Sequence, residues 1–278
     1  MHRLVLAPLT AIGLTPPDFV ALAADLDCEG VALNPGLFTG IDMGGPVYRL
    51  DNDPAMRRAT ARALADSGVT LDLVDSLLIV PGFSLADNEL VMDVYAELGA
   101  SHFNIAVLDE VEGRWSDHLQ GLCEAATRRG VTPVIEFLRM LGPVPTLAEA
   151  VTLIASGRYP GLRILVDSLH LARAGEMPAD VAAIDPALIG AAQICDGPAA
   201  WPGLEAYFHE GAYERGIPGE GELPLVDFLR AIPGDVMLSP EVPMKSLRDA
   251  GVPVRECARR AIEGTRRMMA AALATSAG

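Results

Sequence analysis

Eight short apolar or β-branched runs, each followed by a longer stretch of helical spacing, recur along the whole sequence, and this alternation limits the fold more than any other feature. The runs lie at 3–8 (RLVLAP), 30–34 (GVALN), 69–74 (VTLDLV), 102–108 (HFNIAVL), 132–138 (TPVIEFL), 162–167 (LRILVD), 190–196 (GAAQICD) and 235–241 (DVMLSPE). Short apolar runs separated by helical patterns are what parallel βαβ units require, because their strands are covered on both faces. Helix starts are marked by Thr15 before PPDFVALAADL, Asp53 before PAMRRATARALADSG, Ser84 before LADNELVMDVYAELG and Thr146 before LAEAVTLIASG. Each places a side-chain oxygen where the first free backbone N–H groups of a helix need an acceptor. A last helical pattern runs over 255–272. No linker, charge block or change of composition interrupts the series, so the prediction is a single domain over 1–278, an α/β (β/α)8 TIM barrel.

Two connections exceed ordinary length, 36–52 (GLFTGIDMGGPVYRLDN) and 197–223 (GPAAWPGLEAYFHEGAYERGIPGEGEL). Both follow strands, so both are expected over the catalytic face of the barrel, as lids or pocket walls. Trp201, Tyr207, Phe208 and Tyr213 argue that the second one packs.

The 21 basic and 37 acidic residues leave a net charge of -16, which opposes binding to nucleic acid or an anionic membrane surface. Lys245 is the only lysine and lies beyond the eighth run, which disfavours Schiff-base chemistry inside a barrel. Cys28, Cys123, Cys195 and Cys257 show no paired spacing, so a reduced cytoplasmic protein is expected. The apolar start MHRLVLAPLTAIGL reads as a buried first strand rather than a signal peptide, and no apolar run is long enough to span a membrane.

Four of the runs end in an oxygen donor: Glu136 in VIEF, Asp167 in LVDS, Gln193 in AAQICD and Glu241 in SPEV. In a parallel barrel such strand ends meet in one mouth. A single carboxylate there is commonly a helix cap or an ion-pair partner. Three converging in an apolar mouth repel one another unless protons or a cation neutralise them, and one divalent ion does so most simply. Oxygen-only donors favour Mn2+ or Mg2+, with Co2+ or Zn2+ as alternatives.

At these residues the chain resembles the xylose isomerase-like TIM barrel superfamily, which includes the sugar phosphate isomerases and epimerases. The resemblance runs from about Leu4 to Ile262 and rests on four features in order. A Glu ends strand five, Glu136, and an Asp-x-x-His follows strand six, Asp167-Ser-Leu-His170. Next come Gln193-Ile-Cys-Asp196 with the block Arg215-Gly-Ile-Pro-Gly-Glu-Gly221, and finally a Glu ending strand eight, Glu241. The resemblance implies metal ligands Glu136, Asp167, Gln193 and Glu241, catalytic roles for Glu136, Glu241 and His170, and substrate binding by Arg215, Asp196 and Arg139. Most epimerases of the superfamily carry His where this chain has Gln193. A Glu, Asp, Gln, Glu set looks more like hydroxypyruvate isomerases and bacterial 3-dehydroshikimate dehydratases, and QICDGP is similar to the latter.

The expected activity is metal-dependent isomerisation or epimerisation of a small sugar or hydroxy-keto compound, by removal of a proton next to a metal-bound carbonyl. The alternative is a 3-dehydroshikimate dehydratase-like lyase with His170 as acid. His170 also reads as a group that orients Asp167, and Arg215 as a salt bridge to Glu214 or Glu220. Less weight falls on an abasic-site endonuclease, since His2, His102, His118, His170 and His209 are too few for several zinc ions, and on a non-catalytic binding barrel. The expected partner is a small sugar or keto-acid, with a homo-oligomer, dimer or tetramer, left open.

Overall fold

The computed structural model describes residues 2–36 and 48–274. The eight strands are β1 (Val5–Leu6), β2 (Gly30–Leu33), β3 (Thr70–Ile79), β4 (His102–Val107), β5 (Thr132–Glu136), β6 (Arg163–Asp167), β7 (Ile189–Ile194) and β8 (Met237–Pro240). They pair in parallel in sequence order, and a parallel bridge between Leu4 and Leu238 brings the last strand back to the first. The helices that cover them are α1 (Pro16–Asp25), α2 (Pro54–Ser67), α3 (Leu85–Glu97), α4 (Glu112–Arg128), α5 (Leu147–Ala155), α6 (Ser168–Ala174), α7 (Pro178–Ala183), α8 (Leu204–Tyr213), α9 (Leu225–Ala231), α10 (Lys245–Asp249) and α11 (Val254–Ala274). This is the expected TIM barrel.

Three of the four expected caps form. Asp53 Oδ1 accepts from the backbone N–H groups of Ala55 and Met56, Ser84 Oγ from that of Asp87, and Thr146 Oγ1 from that of Glu149. Each is worth about 1 kcal/mol. Thr15 is the exception: its hydroxyl donates to Asp18 Oδ2 at 2.6 Å instead of accepting from the helix, and Pro16 and Pro17 have no N–H to offer it.

Side chains alternate along a strand, so every second residue faces the barrel axis. Val5, Ala32, Leu73, Val134, Leu165, Ala191 and Met237 form a dry plug from seven strands. Two residues further along five of those strands the same inward direction is held by Asp75, Glu136, Asp167, Gln193 and Ser239, all buried. The floor of the mouth is therefore apolar and the layer above it polar.

Strand β3 runs five residues beyond the expected end at Val74, through a register irregularity between Val74 and Leu77 that contains Asp75 and Ser76. Irregularities of this kind redirect side chains next to active sites. Of the expected loop 36–52, residues 37–47 lie outside the described residues. The connection 197–223 is packed and contains α8. Arg173 on α6 holds α8 through paired bonds to Glu210 at 2.8 and 2.7 Å, with Arg173 almost wholly buried.

Candidate active site

The four strand-end residues do meet in one mouth, and two residues that the sequence reading passed over join them. Asn104 sits in the middle of β4, and its Nδ2 donates to Asp75 Oδ1 at 2.8 Å and to Glu136 Oε2 at 2.9 Å. On the other side Gln193 Nε2 donates to Asp75 Oδ2 at 2.9 Å and to Glu241 Oε1 at 3.1 Å. One carboxyl thus holds two amides, and each amide reaches on to a different glutamate. The carbonyl oxygens Asn104 Oδ1 and Gln193 Oε1 are buried and have no hydrogen-bond partner.

Arg215 supplies positive charge at the centre. Its Nη1 lies 2.9 Å from Asp167 Oδ2 and 2.7 Å from Glu241 Oε2, and its Nε donates to the Gly211 carbonyl. The reading of Arg215 as a salt bridge to Glu214 or Glu220 is corrected: its partners are the two strand-end carboxylates, with 3% of its side chain exposed. Glu214 instead accepts from the Ser246 backbone and hydroxyl.

Asp167 ends β6 and caps α6, its Oδ1 accepting from the N–H groups of Leu169 and His170. The His170 ring does not orient Asp167, as one reading had it. The ring Nε2 lies 3.3 Å from Glu136 Oε1, and Nδ1 is hydrogen-bonded to the Tyr207 hydroxyl at 2.6 Å. Glu136, Asp167 and His170 bring one ligand atom each within 4.8 Å of one another, a cluster able to hold a metal ion. Glu241 joins Asp167 through their shared partner Arg215 and is also bonded to Gln193.

Asp196, expected to bind substrate, is buried just past the end of the seventh strand. Its carboxylate accepts from the backbone N–H groups of Gly197, Gly219 and Leu223, so it braces the long loop. A Cβ on Gly221 would overlap Asp196 Oδ1, which accounts for the glycine of PGEG. Arg139 lies at the rim, its Nη1 donating to the Arg173 carbonyl and its guanidinium 4.6 Å from the centre of the Trp201 ring. It has no carboxylate partner among the described residues. Trp201 meets Tyr207 edge-on, so the rim connects to His170.

Burial raises the carboxyls of the mouth, and their neighbours pull its two glutamates apart. It pushes the Asp75 carboxyl up to about 6, with the charge of Glu136 adding to the effect. It raises Glu241 well above the ordinary carboxylate range, where the nearby Arg215 is outweighed by burial and by Asp75, Glu136 and Asp167. Each of these two carboxyls therefore holds its proton to a higher pH than an ordinary carboxyl does. Burial alone would raise Glu136 too, but His170, Asn104 and Arg215 overcome it and hold that carboxyl low.

The residues fit a divalent cation. Three carboxylates and two unpartnered carbonyl oxygens are acceptors in a buried place, where an unmatched acceptor costs about 1–3 kcal/mol. Arg215 and a retained proton supply the neutralisation that the charges otherwise need.

A signal for Asp75 was present. The pentapeptide LVDSL stands both at 73–77 and at 165–169, and each copy places its Asp in the mouth. Asn104 was marked by being the polar residue in the middle of an apolar strand.

The family described as xylose isomerase-like TIM barrel matches residues 20–271. No curated protein matches the sequence. Among solved structures, a xylose isomerase-like TIM barrel/4-hydroxyphenylpyruvate dioxygenase fusion protein is 21% identical with a TM-score of 0.75, over 95% of this chain. The chain spans only 42% of that fusion protein's length. The IolI protein, whose structure holds a zinc atom, is 15% identical with a TM-score of 0.76, over 96% of this chain and 97% of its own. D-Allulose 3-epimerase from Methylomonas sp. is 15% identical with a TM-score of 0.69, over 96% and 98%. At such identities the likeness is one of fold.

Proposed function

Because the chain belongs to the xylose isomerase-like TIM barrel family, we propose that it is a divalent-metal-dependent isomerase or epimerase of a small sugar or hydroxy-keto compound. The observation that carries this reading is the set of acceptors in the mouth, three carboxylates beside the bare, buried carbonyl oxygen of Gln193. Glu136, Asp167, Gln193 and Glu241 are the residues that would hold the metal. A divalent ion bound there supplies a Lewis acid that stabilises negative charge developing on a substrate carbonyl oxygen.

The chain's own groups divide the proton work. Glu136 is held ionised by His170, Asn104 and Arg215, so its carboxylate is the base that takes a proton from the carbon next to the carbonyl. Glu241 keeps its proton more readily and is the group that returns one. Two carboxyls pushed in opposite directions by their surroundings are the usual basis for such a division. Tyr207 fixes the His170 ring, and through it the angle at which Glu136 is presented. The net charge of -16 supports a small-molecule substrate over nucleic acid. No helix among the described residues is long and apolar enough to cross a membrane.

The test is hydrogen exchange into substrate. Metal-stripped protein is incubated in D2O with keto-sugars and hydroxy-keto acids, with Mn2+, Mg2+, Co2+ or Zn2+ added singly, and deuterium next to the carbonyl is followed by NMR. Metal-dependent labelling that is lost in Glu136→Gln is expected. Labelling that needs no metal, or none with any compound, rejects the reading.

A second reading, a dehydratase of the 3-dehydroshikimate type, is favoured by Arg139 over Trp201 at the rim, where a guanidinium without a carboxylate partner suits an acidic substrate. Appearance of a catechol chromophore from dehydroshikimate, with loss on Arg139→Ala, selects this reading over the first.

A further inference from the structure

Side-chain amides have two faces, and which one meets a ligand is decided by what holds the other. In this mouth both amides are held by the same group. Asp75 Oδ1 takes one hydrogen of Asn104 and Asp75 Oδ2 takes one of Gln193, and the second hydrogen of each goes to Glu136 and Glu241 respectively. All four amide hydrogens are therefore used on carboxyl oxygens. Neither carbonyl oxygen has a donor, and Asn104, Gln193 and Asp75 are 0%, 1% and 6% exposed.

A buried amide with both hydrogens bonded and its carbonyl bare is oriented for something that accepts no hydrogen bond and seeks oxygen: a cation, or the hydroxyl proton of a substrate. A carboxylate is the residue type that imposes this. It accepts at both oxygens, whereas an amide in its place would accept at one and oppose N–H to N–H at the other, turning a neighbour round. We infer that Asp75 is the positioning residue of this site, fixing Gln193 with its oxygen free for the metal and Asn104 with its oxygen free for a substrate hydroxyl. The metal part of this inference rests on the reading given above, while the orientation of the amides does not. Asn104 thereby becomes a binding residue of the mouth, one strand away from the base Glu136 whose Oε2 it also holds. The arrangement also explains how a glutamine serves at position 193. An amide is an ambiguous ligand until its donor side is tied down, and Asp75 ties it.

The test uses Asp75→Asn and the exchange variant that combines Asp75→Asn with Gln193→Glu. In the exchange variant the amide introduced at position 75 accepts from Asn104 and donates to the carboxylate introduced at position 193, so the net charge of the site and both hydrogen bonds of position 75 are kept, while the bond from position 193 to Glu241 is given up. Side-chain amide signals of Asn104 and Gln193 are followed by NMR in the metal-free proteins, and Mn2+ affinity is measured by calorimetry. In the wild type, both amides are expected to exchange slowly and to show couplings across hydrogen bonds to the Asp75 carboxyl. Asp75→Asn is expected to lose that protection at one amide at least, and to bind Mn2+ about 10–100-fold more weakly. The exchange variant is expected to recover most of the affinity, which a merely structural role for Asp75 would not produce. Fast-exchanging amides in the wild type overturn the inference even where Asp75→Asn does not fold. So does an exchange variant as weak as Asp75→Asn, or an Asp75→Asn protein with unchanged amides and affinity. A wild type that binds no divalent ion while both amides remain protected removes the metal reading and leaves the role of Asp75 standing.

Discussion

The Arg215 guanidinium meets the Glu241 carboxylate at 2.7 Å inside the barrel mouth, with 3% and 6% of the two side chains exposed. Its Nη1 also reaches Asp167, so one buried cation joins the ends of β6 and β8. Removing one member of such a group leaves the others charged and unmatched. Arg215→Met is expected to destabilise the metal-free protein by about 3–5 kcal/mol in urea unfolding. Saturating Mn2+ should recover part of that loss, because a second cation then serves Asp167 and Glu241. A variant as stable as the wild type without metal would show that the buried pair carries no weight.

Tyr207 closes the far side of His170. Tyr207→Phe leaves Nδ1 of the imidazole buried without its 2.6 Å partner, and a loss of about 1–3 kcal/mol is expected. Turnover should fall more than substrate affinity, since the ring that holds Glu136 loses its anchor while the rim is kept. Measured kcat and KM that change in the opposite sense would separate His170 from the reaction.

Asp75 gives the metal-free protein an unusual pH dependence. Its carboxyl is pushed up to about 6 in the folded state, against an ordinary value of 3.8. Below 3.8 it is protonated folded or unfolded. Between 3.8 and about 6 the unfolded chain gives up a proton that the folded one keeps, so the contribution of this group to stability falls as pH rises. The slope is about 1.4 kcal/mol per pH unit, or about 3 kcal/mol in all. Unfolding free energies measured across this range should therefore decline for the wild type relative to Asp75→Asn. A difference that is flat, or that rises with pH, contradicts the placement of this carboxyl.

Metal binding should be visible as stability. A divalent ion at about one hundred times its dissociation constant adds about 2.7 kcal/mol to a folded state that alone binds it. Calorimetric melting with Mn2+ should show the corresponding rise in Tm, and Glu136→Gln, Asp167→Asn and Glu241→Gln should each reduce it sharply. Asp167→Asn tests charge with little disturbance to α6, since Asn also caps helices well. Undiminished shifts in all three variants would put the ion somewhere else.

The barrel was legible because its evidence is local. Apolar runs and helical spacing are properties of neighbouring residues, and all eight expected strands are present with ends displaced by a few positions. Glu136, Asp167, Gln193 and Glu241 were legible for the same reason, standing at or just past strand ends. Asp75 escaped because strand three was expected to stop at Val74, where an Asp and a Ser look like an ending, whereas the chain continues through an irregularity to Ile79. The partners of Arg215 and Asp196 were not legible at all. Both side chains act across the folded mouth on groups far away in sequence, and residue spacing carries no record of such pairings.

By taking the N–H groups of Gly197, Gly219 and Leu223, Asp196 ties both ends of the β7 to α9 connection to the end of a barrel strand. Tyr207 and Glu210 pin the middle, through His170 and Arg173. What remains between these moorings, residues 200–206 with Trp201 at the rim, can be rewritten without disturbing the barrel. That short stretch is the part of the rim that the ends of the strands leave to itself.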